Sequence, residues 1–253
     1  MNQDTPLISI ITITFNAQNE VGRTARSVRS QSFDNFEHLI IDGASTDNTL
    51  AVARSEGVAG MRIISEPDRG LYDAMNKGLH AARGRYVIFL NAGDTFHNEG
   101  TLALYADAAE GGADIVYGDT VLVDALGTRL GPRHLSAPRR LDADSFKAGM
   151  LVCHQAFMVR RALAPDYDLN YRFSADYDWC IRCLRRTVPE RCVRLGVTID
   201  YLSEGLTTRN HGASLRERFA IMGRHYGFAT AVWRHLGFIP RAAARKLKGV
   251  FSS

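Results

Sequence analysis

Polar residues that could do chemistry follow four apolar runs in the first hundred residues. They form four groups: Thr14 with Asn16, Asp42, Asp68, and Asn91 with Asp94. Each group alone is ordinary turn chemistry, because Asn, Asp and Gly are common where strands end. Together these side chains could accept hydrogen bonds from a nucleobase and a ribose. A carboxylate that follows a glycine, as Asp94 does, could also ligate a hard divalent ion that bridges a diphosphate.

The elements that must position these groups alternate between strand and helix. We predict strands at residues 7–15, 37–42, 61–68, 85–94 and 114–119, with helices between them, the first capped by Asn16. Such alternation is typical of parallel βαβ units in a sheet covered by helices on both faces. Because parallel α/β sheets bind ligands beyond the carboxyl ends of their strands, we expect the four groups to meet at one edge.

The second half of the chain is less regular. A hairpin is predicted over residues 120–131, turning at Leu126-Gly127, and a loop over 132–138. Residues 154–163 should be a strand running into a helix start, 174–186 a helix, and 191–202 another strand. A helical stripe then runs along the C-terminal region to a break at Pro240, before a short basic helix. Its members are Phe219, Met222, Tyr226, Ala229, Trp233 and Leu236.

The charge divides the chain into two segments. The formal net charge is +4, but residues 211–253 hold eight Lys or Arg against one acid, which is +7 and leaves −3 for residues 1–210. We therefore predict an α/β domain at 1–210 and an amphipathic, basic helical tail at 211–253. Such a tail suits the surface of a membrane with anionic head groups. We favour this interpretation over a helix that only packs on the domain with a solvated basic face.

Composition and motifs exclude several classes of protein. No apolar run approaches the ~18 residues of a membrane span and no signal-peptide pattern opens the chain, so we expect a cytoplasmic protein, peripheral at the inner membrane. Nucleic acid is not an expected partner, because the basic residues are confined to the tail and lack interleaved aromatics. Cys180 and Cys183 form a lone CxxC on one helical stripe with Tyr177 and Leu184, which favours core packing over a metal or redox site.

Several sequence blocks resemble a known family. GxGxxG after the first strand and GxxxxGK[ST] are both missing, so dinucleotide and P-loop sites lose their main support. The blocks "SIITITFNA", "IIDGASTDNT", "SEPDRGLYDAMNKGL", "FLNAGD", "CHQAFMVRR", "YRFSADYDWCIRCL" and "EGLTTRN" resemble the family 2 glycosyltransferases. The likeness is to bacterial enzymes of exopolysaccharide (colanic-acid type) and glycolipid assembly, and covers roughly residues 7–210. It implies the GT-A fold, which is a Rossmann-like, mostly parallel central sheet flanked by helices.

The resemblance also implies roles in donor binding. Thr14, Asn16 and Asp42 would hold the base and ribose of a nucleotide-diphosphate sugar, with Asp68 lining the same pocket. Asn91 and Asp94 occupy the position of the family's DxD motif. Asn91 replaces the first acid there, so Asp94 is the one carboxylate assigned to Mg²⁺ or Mn²⁺.

The remaining implied roles concern the acceptor side. His154 and Gln155 resemble a pair near the acceptor or diphosphate, and Asp176 stands where the family has its catalytic base. Asp176 and Asp178 both begin the 174–186 helix, where acids are also favoured by the helix dipole alone. We favour Asp176 as the base and a structural role for Asp178. For His154, a ligand and a satisfied core histidine remain equal alternatives.

The implied activity is a metal-dependent hexosyltransferase of the EC 2.4 type that inverts the sugar. Its acceptor would be a saccharide or a lipid-linked saccharide in cell-surface polysaccharide or glycolipid assembly. A sugar nucleotidyltransferase is an alternative, although "FNAQNE" is not the glycine-rich basic loop that such enzymes usually carry. A catalytically silent binding or scaffold subunit is another alternative, and Asn91 is the residue that keeps it open.

Overall fold

The computed structural model describes residues 5–203 and 211–236. Its strands, in chain order, are β1 (Ile8–Thr14), β2 (Phe36–Asp42), β3 (Arg62–Ser65), β4 (Tyr86–Phe89), β5 (Thr95–Phe96), β6 (Ile115–Val123), β7 (Arg129–Pro132), β8 (Phe157–Arg160) and β9 (Cys192–Leu202). They form one sheet in the spatial order β3-β2-β1-β4-β8-β6-β9-β5, with β7 paired to β6 beside this path.

Helices cover both faces of the sheet. The α-helices are α1 (Val21–Arg29), α2 (Thr49–Glu56), α3 (Leu71–Ala81), α4 (Thr101–Glu110), α5 (Ala175–Leu184) and α6 (His211–Tyr226), and residues 228–236 form one more helix. Successive residues of β1 alternate between two cores: Ile10 packs on the side of α1 and α4, and Ile11 on the side of α3 and α5. All seven β1 residues are buried, as expected for a central strand covered on both faces.

The first four long strands form a parallel half, and the later strands complete the sheet in mixed directions. β3, β2, β1 and β4 run parallel to one another. β8 is antiparallel and lies between β4 and β6, while β9 runs parallel to β6. The predicted α/β architecture is therefore confirmed. The two-residue β5, which pairs with β9, was not predicted because it is too short to leave a periodic pattern.

Three local predictions have clear outcomes. The hairpin is confirmed: β6 and β7 are antiparallel, and Gly127 takes a φ of +86° at the turn. The prediction that Asn16 caps α1 is wrong, because that helix begins at Val21 with Glu20 at the cap position. Cys180 and Cys183 are buried free thiols in the core, as the packing interpretation predicted.

The C-terminal stripe does not form one continuous helix. It breaks at Gly227, whose φ of +88° is a left-handed conformation that glycine adopts readily. Ile221 and Met222 of α6 are buried in the same core as α5. Pro240 and the predicted basic helix beyond it lie outside the described residues, and the division at residue 210 stays a prediction. In the ranges that the structure covers, no helix has the length and apolar character needed to cross a bilayer.

Candidate active site

The carboxyl ends of the parallel strands meet at one edge of the sheet. Thr14 pairs opposite Asp42, and Asp42 pairs opposite Ser65 on the next strand. The loop after β4 joins this row, since the amide of Ala92 donates to the carbonyl of Ile13. The structure therefore brings the ends of all four strands together, as their parallel direction requires.

Asp68 reaches the same edge from the loop after β3. A side-chain carbon built on Gly43 would lie 2.6 Å from Oδ2 of Asp68 and 3.2 Å from the ring of Phe15. Any larger residue at position 43 would therefore collide with the Asp68 carboxylate and crowd the Phe15 ring. Asp68 is half-buried, and its Oδ1 accepts a 2.7 Å hydrogen bond from the Gly70 amide. This bond fixes the loop that leads into α3.

Asp42 is fully buried and anchors its own loop. Its carboxylate accepts hydrogen bonds from the Ser45 amide at 2.9 Å, from the Ser45 hydroxyl, and from the Ser65 hydroxyl at 2.7 Å. A carboxylate has about four lone-pair sites, so three donors leave it little remaining capacity. One lone-pair site therefore remains, and in the protein alone it is buried.

Asn16 ties the loop after β1 to the loop after β2. Its side-chain Oδ1 accepts from the Thr46 backbone amide at 2.9 Å, and its backbone amide donates to the Ser45 hydroxyl at 2.8 Å. Asn16 has a φ of +46°, a region that asparagine tolerates better than most residues. The exposed Asn16 side chain thus holds the two loops in a fixed relative position at the carboxyl ends of the strands.

Two buried polar atoms at this edge have no hydrogen-bond partner. They are the hydroxyl of Thr14 and Oδ1 of Asn91, from neighbouring strand ends. Leaving such a group unpaired costs ~1–3 kcal/mol, so each atom favours a ligand that would pair with it. The sequence predicted both residues but could not show that their polar atoms lack a partner.

Phe15 is a residue of this edge that the sequence analysis did not assign. Its ring is 61% exposed although it lies between two polar strand-end residues and beside Gly43. An exposed aromatic face is the group on which a nucleobase can stack. The signal that could have found it is an aromatic residue between Thr14 and Asn16, where a strand core has already ended.

Asp94 points into the protein. It is only 3% exposed, its Oδ1 accepts a 2.9 Å hydrogen bond from the Leu202 amide, and Gln155 also bonds to the carboxylate. Burial raises the pKa of Asp94 to about 7, against the lowering effects of these two hydrogen bonds and of the Arg23 charge. The preceding Gly93 has a φ of +99°, and a side chain there would collide with Leu202.

The oxygen donors at this edge suit a hard cation that arrives with a diphosphate. Among the residues that the structure describes, no three Asp, Glu, His or Cys side chains form a cluster that could hold a metal ion. Mg²⁺ is commonly bound by one or two carboxylates together with phosphates and water. Asp94 and the unpaired Oδ1 of Asn91 provide one carboxylate and one amide oxygen in the same turn. Because Asp94 is buried and already bonded to the Leu202 amide and to Gln155, these donors fit an ion shared with a ligand after the turn has moved, rather than a preformed site.

His154 is a core residue. It lies 5.0 Å from the ring of Phe89 and 5.5 Å from that of Trp179, and its Nε2 is hydrogen-bonded to the Tyr167 hydroxyl. Burial lowers the pKa of His154 to about 4, although the nearby Asp176 charge opposes this shift. The imidazole is therefore neutral at physiological pH. The adjacent Gln155 is also buried and accepts from the Cys153 thiol at 3.0 Å.

Asp176 stands at the first turn of α5, half-buried. Its Oδ1 accepts from the Tyr72 hydroxyl at 3.1 Å and from the Tyr177 amide at 2.9 Å. Asp178 is fully buried and pairs with Arg182 and His225, both at 2.6 Å. Burial would raise the pKa of Asp178, but the bond from His225 and the charge of Arg182 outweigh it and the pKa is lowered. Asp178 has the structural role that the sequence analysis favoured.

The charges of Asp94 and Asp176 act on the same two side chains. Burial raises the pKa of the Cys153 thiol to about 11; the Arg133 charge opposes this shift, and the charges of Asp94 and Asp176 add to it. The charges of Asp94, Asp176 and Arg133 also act on the pKa of the Tyr201 hydroxyl. The two carboxylates therefore lie within electrostatic reach of the same groups. Arg133, which the sequence analysis did not assign, adds a half-buried guanidinium to this region.

Residues 9–166 match the sequence model of the family described as Glycosyl transferase family 2. This match spans more than half of the 253 residues. The chain belongs to this family. All the polar strand ends of this family 2 glycosyltransferase lie inside the matched span, and Asp176 lies just beyond it. The family predicted from the sequence blocks is confirmed.

Relatives and solved structures agree with this assignment. The glycosyltransferase is 36% identical over 186 residues to the PGL/p-HBAD biosynthesis glycosyltransferase of Mycobacterium bovis, covering 70% of each chain. Its structure is similar to S. aureus TarS 1–349 in complex with UDP-GlcNAc, with a TM-score of 0.66 and 18% identity, covering 91% of this chain and 73% of TarS. It is also similar to the mannosyltransferase PcManGT from Pyrobaculum calidifontis in complex with GDP-Man and Mn²⁺, with a TM-score of 0.61 and 15% identity, covering 98% and 80%. These similarities establish the GT-A fold.

Proposed function

We propose that this glycosyltransferase moves a hexose from a nucleotide-diphosphate donor to a saccharide or lipid-linked acceptor, with inversion at the sugar. The process would be the assembly of a cell-surface polysaccharide or glycolipid. The observation that carries the proposal is the pair of unpaired buried atoms, the Thr14 hydroxyl and Asn91 Oδ1, at the edge where four strand ends converge. TarS and PcManGT, which share the fold, were solved with UDP-GlcNAc and GDP-Man respectively.

The donor nucleotide would occupy the edge formed by the first three strand ends. Phe15 would stack on the base, and the Thr14 hydroxyl would gain the partner that it lacks in the protein alone. Asp68 would accept from the base or ribose beside Gly43. Asp42 and Asn16 would act mainly by holding the two loops in place, since their side chains are already bonded within the protein.

The diphosphate would lie toward the turn after β4. Asp94 and Asn91 would hold Mg²⁺ or Mn²⁺ there, and the ion would supply Lewis-acid stabilisation of the departing nucleoside diphosphate. Use of a divalent ion is also suggested by PcManGT, whose complex contains Mn²⁺. Gln155 would keep Asp94 oriented through its hydrogen bond, and Arg133 would add positive charge on the same side.

The acceptor would approach from the side of α5. Asp176 would take the proton of the attacking hydroxyl, and the Tyr72 and Tyr177 bonds to its Oδ1 would fix the carboxylate in position. The resemblance to family 2 glycosyltransferases implies a single displacement, which would invert the anomeric centre. His154 would support Asp176 as a neutral packing residue rather than as a proton donor.

The site of action would be the cytoplasmic face of the inner membrane. The support is the net charge of +7 over residues 211–253, which is complementary to anionic head groups. A lipid-linked acceptor would be presented at that surface.

The test is nucleotide binding followed by donor turnover. Thermal shift should rise with one nucleoside diphosphate and its sugar, most strongly with Mn²⁺ present, and the variant Thr14→Val should lose most of this shift. Thr5→Val, an exposed threonine before the amino end of β1, is the matched control and should behave as the wild type. Metal-dependent release of nucleoside diphosphate supports a transferase. Binding of no nucleotide, or binding without turnover of any donor, would contradict the proposal in favour of a silent scaffold subunit.

A further inference from the structure

The helix at residues 228–236 folds back on α6 after the turn at Gly227. The ring of Phe219 on α6 makes edge-to-face contacts with Phe228 at 5.8 Å and with His235 at 5.0 Å. Ala231 is fully buried between these contacts. One side of the short helix is therefore used to pack against the protein.

The opposite side of the same helix is apolar and exposed. Ala229, Trp233 and Leu236 recur at i, i+4 and i+7, so they lie on one face. Trp233 is 77% exposed, Leu236 58% and Phe228 71%. We call Ala229, Trp233 and Leu236 the outer apolar face; Phe228 belongs to the packed side, because its ring contacts Phe219. A large exposed aromatic of this kind, next to other apolar side chains, is unusual on a monomeric protein and indicates an interaction surface.

The sequence that follows Glu217 is basic, although Arg224 itself pairs with Asp168 at 3.0 Å. Glu217 is the last acidic residue of the chain, and six Lys or Arg follow Arg218 between Arg224 and the C terminus. Glu217 itself is occupied, because it accepts hydrogen bonds from the amides of Arg172 and Phe173 at 2.8 Å. A second copy packed through the same face would bring its own basic segment against this one. An anionic lipid surface would meet both the basic charge and the apolar side chains.

We propose that the outer apolar face docks the protein on an anionic lipid surface, with Trp233 at the level of the head groups. Tryptophan suits this position because it has an apolar ring and a hydrogen-bond donor. The inference deepens the proposed function, on which its biological sense rests, by naming the described residues that would make the membrane contact.

The helix at residues 228–236 is connected through α6 to the loop that holds Asp176. On α6, Glu217 binds the amides of Arg172 and Phe173, and Ser214 bonds to Ser174 at 2.9 Å between hydroxyls. Further along, His225 pairs with Asp178. A docked outer apolar face would therefore fix the acceptor side of the site relative to the lipid surface.

The two tryptophans allow a direct test on the full chain. Trp179 is fully buried in the core and should not respond to lipid, whereas Trp233 is exposed. Phosphatidylcholine vesicles that contain phosphatidylglycerol should shift the emission to the blue and protect it from acrylamide. Pure phosphatidylcholine or high salt should weaken both effects. Trp233→Phe should still sediment with the anionic vesicles but lose the spectral change.

Removing the apolar side chains gives the second measurement. The double variant Trp233→Ser with Leu236→Ser should lose about 10- to 100-fold in vesicle partitioning, because each side chain would no longer be buried in lipid. Leu126→Ser is the matched control, since Leu126 is 92% exposed at the tip of the β6–β7 hairpin. Nucleotide-induced thermal shifts should be the same in all these variants, so a failure here is separate from a failure of the proposed function.

Three outcomes would overturn the inference. If Trp233 is already protected from acrylamide without lipid and the protein is monomeric, another part of this chain covers the outer apolar face. If it is protected and the mass is that of a dimer, a second copy covers it. Equal sedimentation of the double variant and the wild type would show that the outer apolar face does not contact the lipid.

Discussion

The Tyr72 hydroxyl donates a 3.1 Å hydrogen bond to Oδ1 of Asp176. Tyr72 lies on α3, which follows the donor-side strands, and Asp176 lies on α5, which follows the strands added later. This bond therefore joins the two halves of the candidate site at the group proposed to accept the proton. The Tyr177 amide bonds to the same oxygen and restricts the carboxylate further.

The variant Asp176→Asn should lose transfer but keep nucleotide binding. An amide preserves the size of the side chain and accepts the same hydrogen bonds, but it cannot take a proton from the acceptor. We expect turnover to fall by about 10²–10⁴-fold, the usual contribution of a general base. Turnover and calorimetric nucleotide affinity, measured on the same preparation, check this. Asp178→Asn is not a suitable control, because it breaks a buried ion-pair network. The matched control is Asp166→Asn, which changes an exposed carboxylate. Unchanged turnover in Asp176→Asn would reject Asp176 as the base.

Tyr72→Phe should separate orientation from chemistry. The change removes one hydrogen bond to Asp176 and leaves the ring, which stacks on Tyr167 at 5.6 Å. We expect kcat to fall about tenfold, because a hydrogen bond to a charged group is worth ~1.5–3 kcal/mol. The KM for the donor should stay constant, since the Tyr72 hydroxyl bonds to Asp176 and not to a residue proposed to hold the donor. A rise in donor KM with constant kcat would mean that Tyr72 acts on the nucleotide instead.

Thr14→Val should affect stability and ligand affinity in opposite directions. Valine has nearly the shape of threonine, and the Thr14 hydroxyl lacks a partner in the protein alone. We expect the free energy of unfolding to rise by up to ~1 kcal/mol, because an unpaired buried polar atom is removed. Nucleotide affinity should fall about tenfold, which is the loss of one hydrogen bond to the ligand. Urea unfolding and calorimetry measure the two effects. A destabilised variant with normal affinity would show that the hydroxyl has a structural partner.

Asp94→Asn should abolish Mn²⁺-dependent nucleotide binding and transfer while stabilising the protein at alkaline pH. The pKa of Asp94 in the folded protein is about 7, above its ordinary value of 3.8. Between these values the folded state holds a proton that the unfolded state has lost, so this group's contribution to stability falls as the pH rises toward 7. Asparagine does not titrate, so the variant should not lose stability in this way as the pH rises. Its side-chain oxygen can still accept from the Leu202 amide. Urea unfolding at pH 5 and pH 8 should show a gain over wild type that grows with pH; equal gains would contradict the burial effect.

Two buried histidines should make the protein sensitive to acid. Burial lowers the pKa of His38 and of His154 to about 4, from an ordinary value of 6.5. The unfolded chain binds these protons first, so stability is lost as the pH falls from about 6.5 to 4, by up to ~3 kcal/mol per histidine. His38→Gln should reduce this pH dependence, and His80→Gln, at the surface, should not. The free energy of unfolding, measured across this pH range, tests the prediction. An equal pH dependence for His38→Gln and the wild type would contradict the effect of histidine burial on stability.

The sequence predicted the donor half of the fold well because its signals are local. β1 and β2 are β-branched apolar runs, and each is followed by polar turn residues that the structure finds at the sheet edge. The parallel direction of β1 to β4 follows from the helices between them, so Thr14 and Asp42 could be placed in one row before any coordinates were known.

The rest depended on contacts between distant parts of the chain. The Asp94 carboxylate is held by the Leu202 amide, which lies 108 residues further along. The neutral state of His154 comes from Trp179 and Tyr167, which no local pattern links to it. The position of α6 also depends on such a pair, because His225 of α6 binds Asp178. The sequence predicted a structural role for Asp178 but did not identify His225 as its partner. Asn16 was misread as a cap because a polar residue after a strand can bond to a neighbouring loop as readily as to its own helix.

The position of β8 has a consequence for synthesis on the ribosome. β4 is bounded on one side by β1 and on the other by β8, which begins only at Phe157. A nascent chain that has released the first four parallel strands therefore presents a buried-type strand, with all four residues apolar, along an open edge. Truncated products that end before β8 should aggregate through that edge, and a chaperone that covers extended segments would be needed longest at this stage.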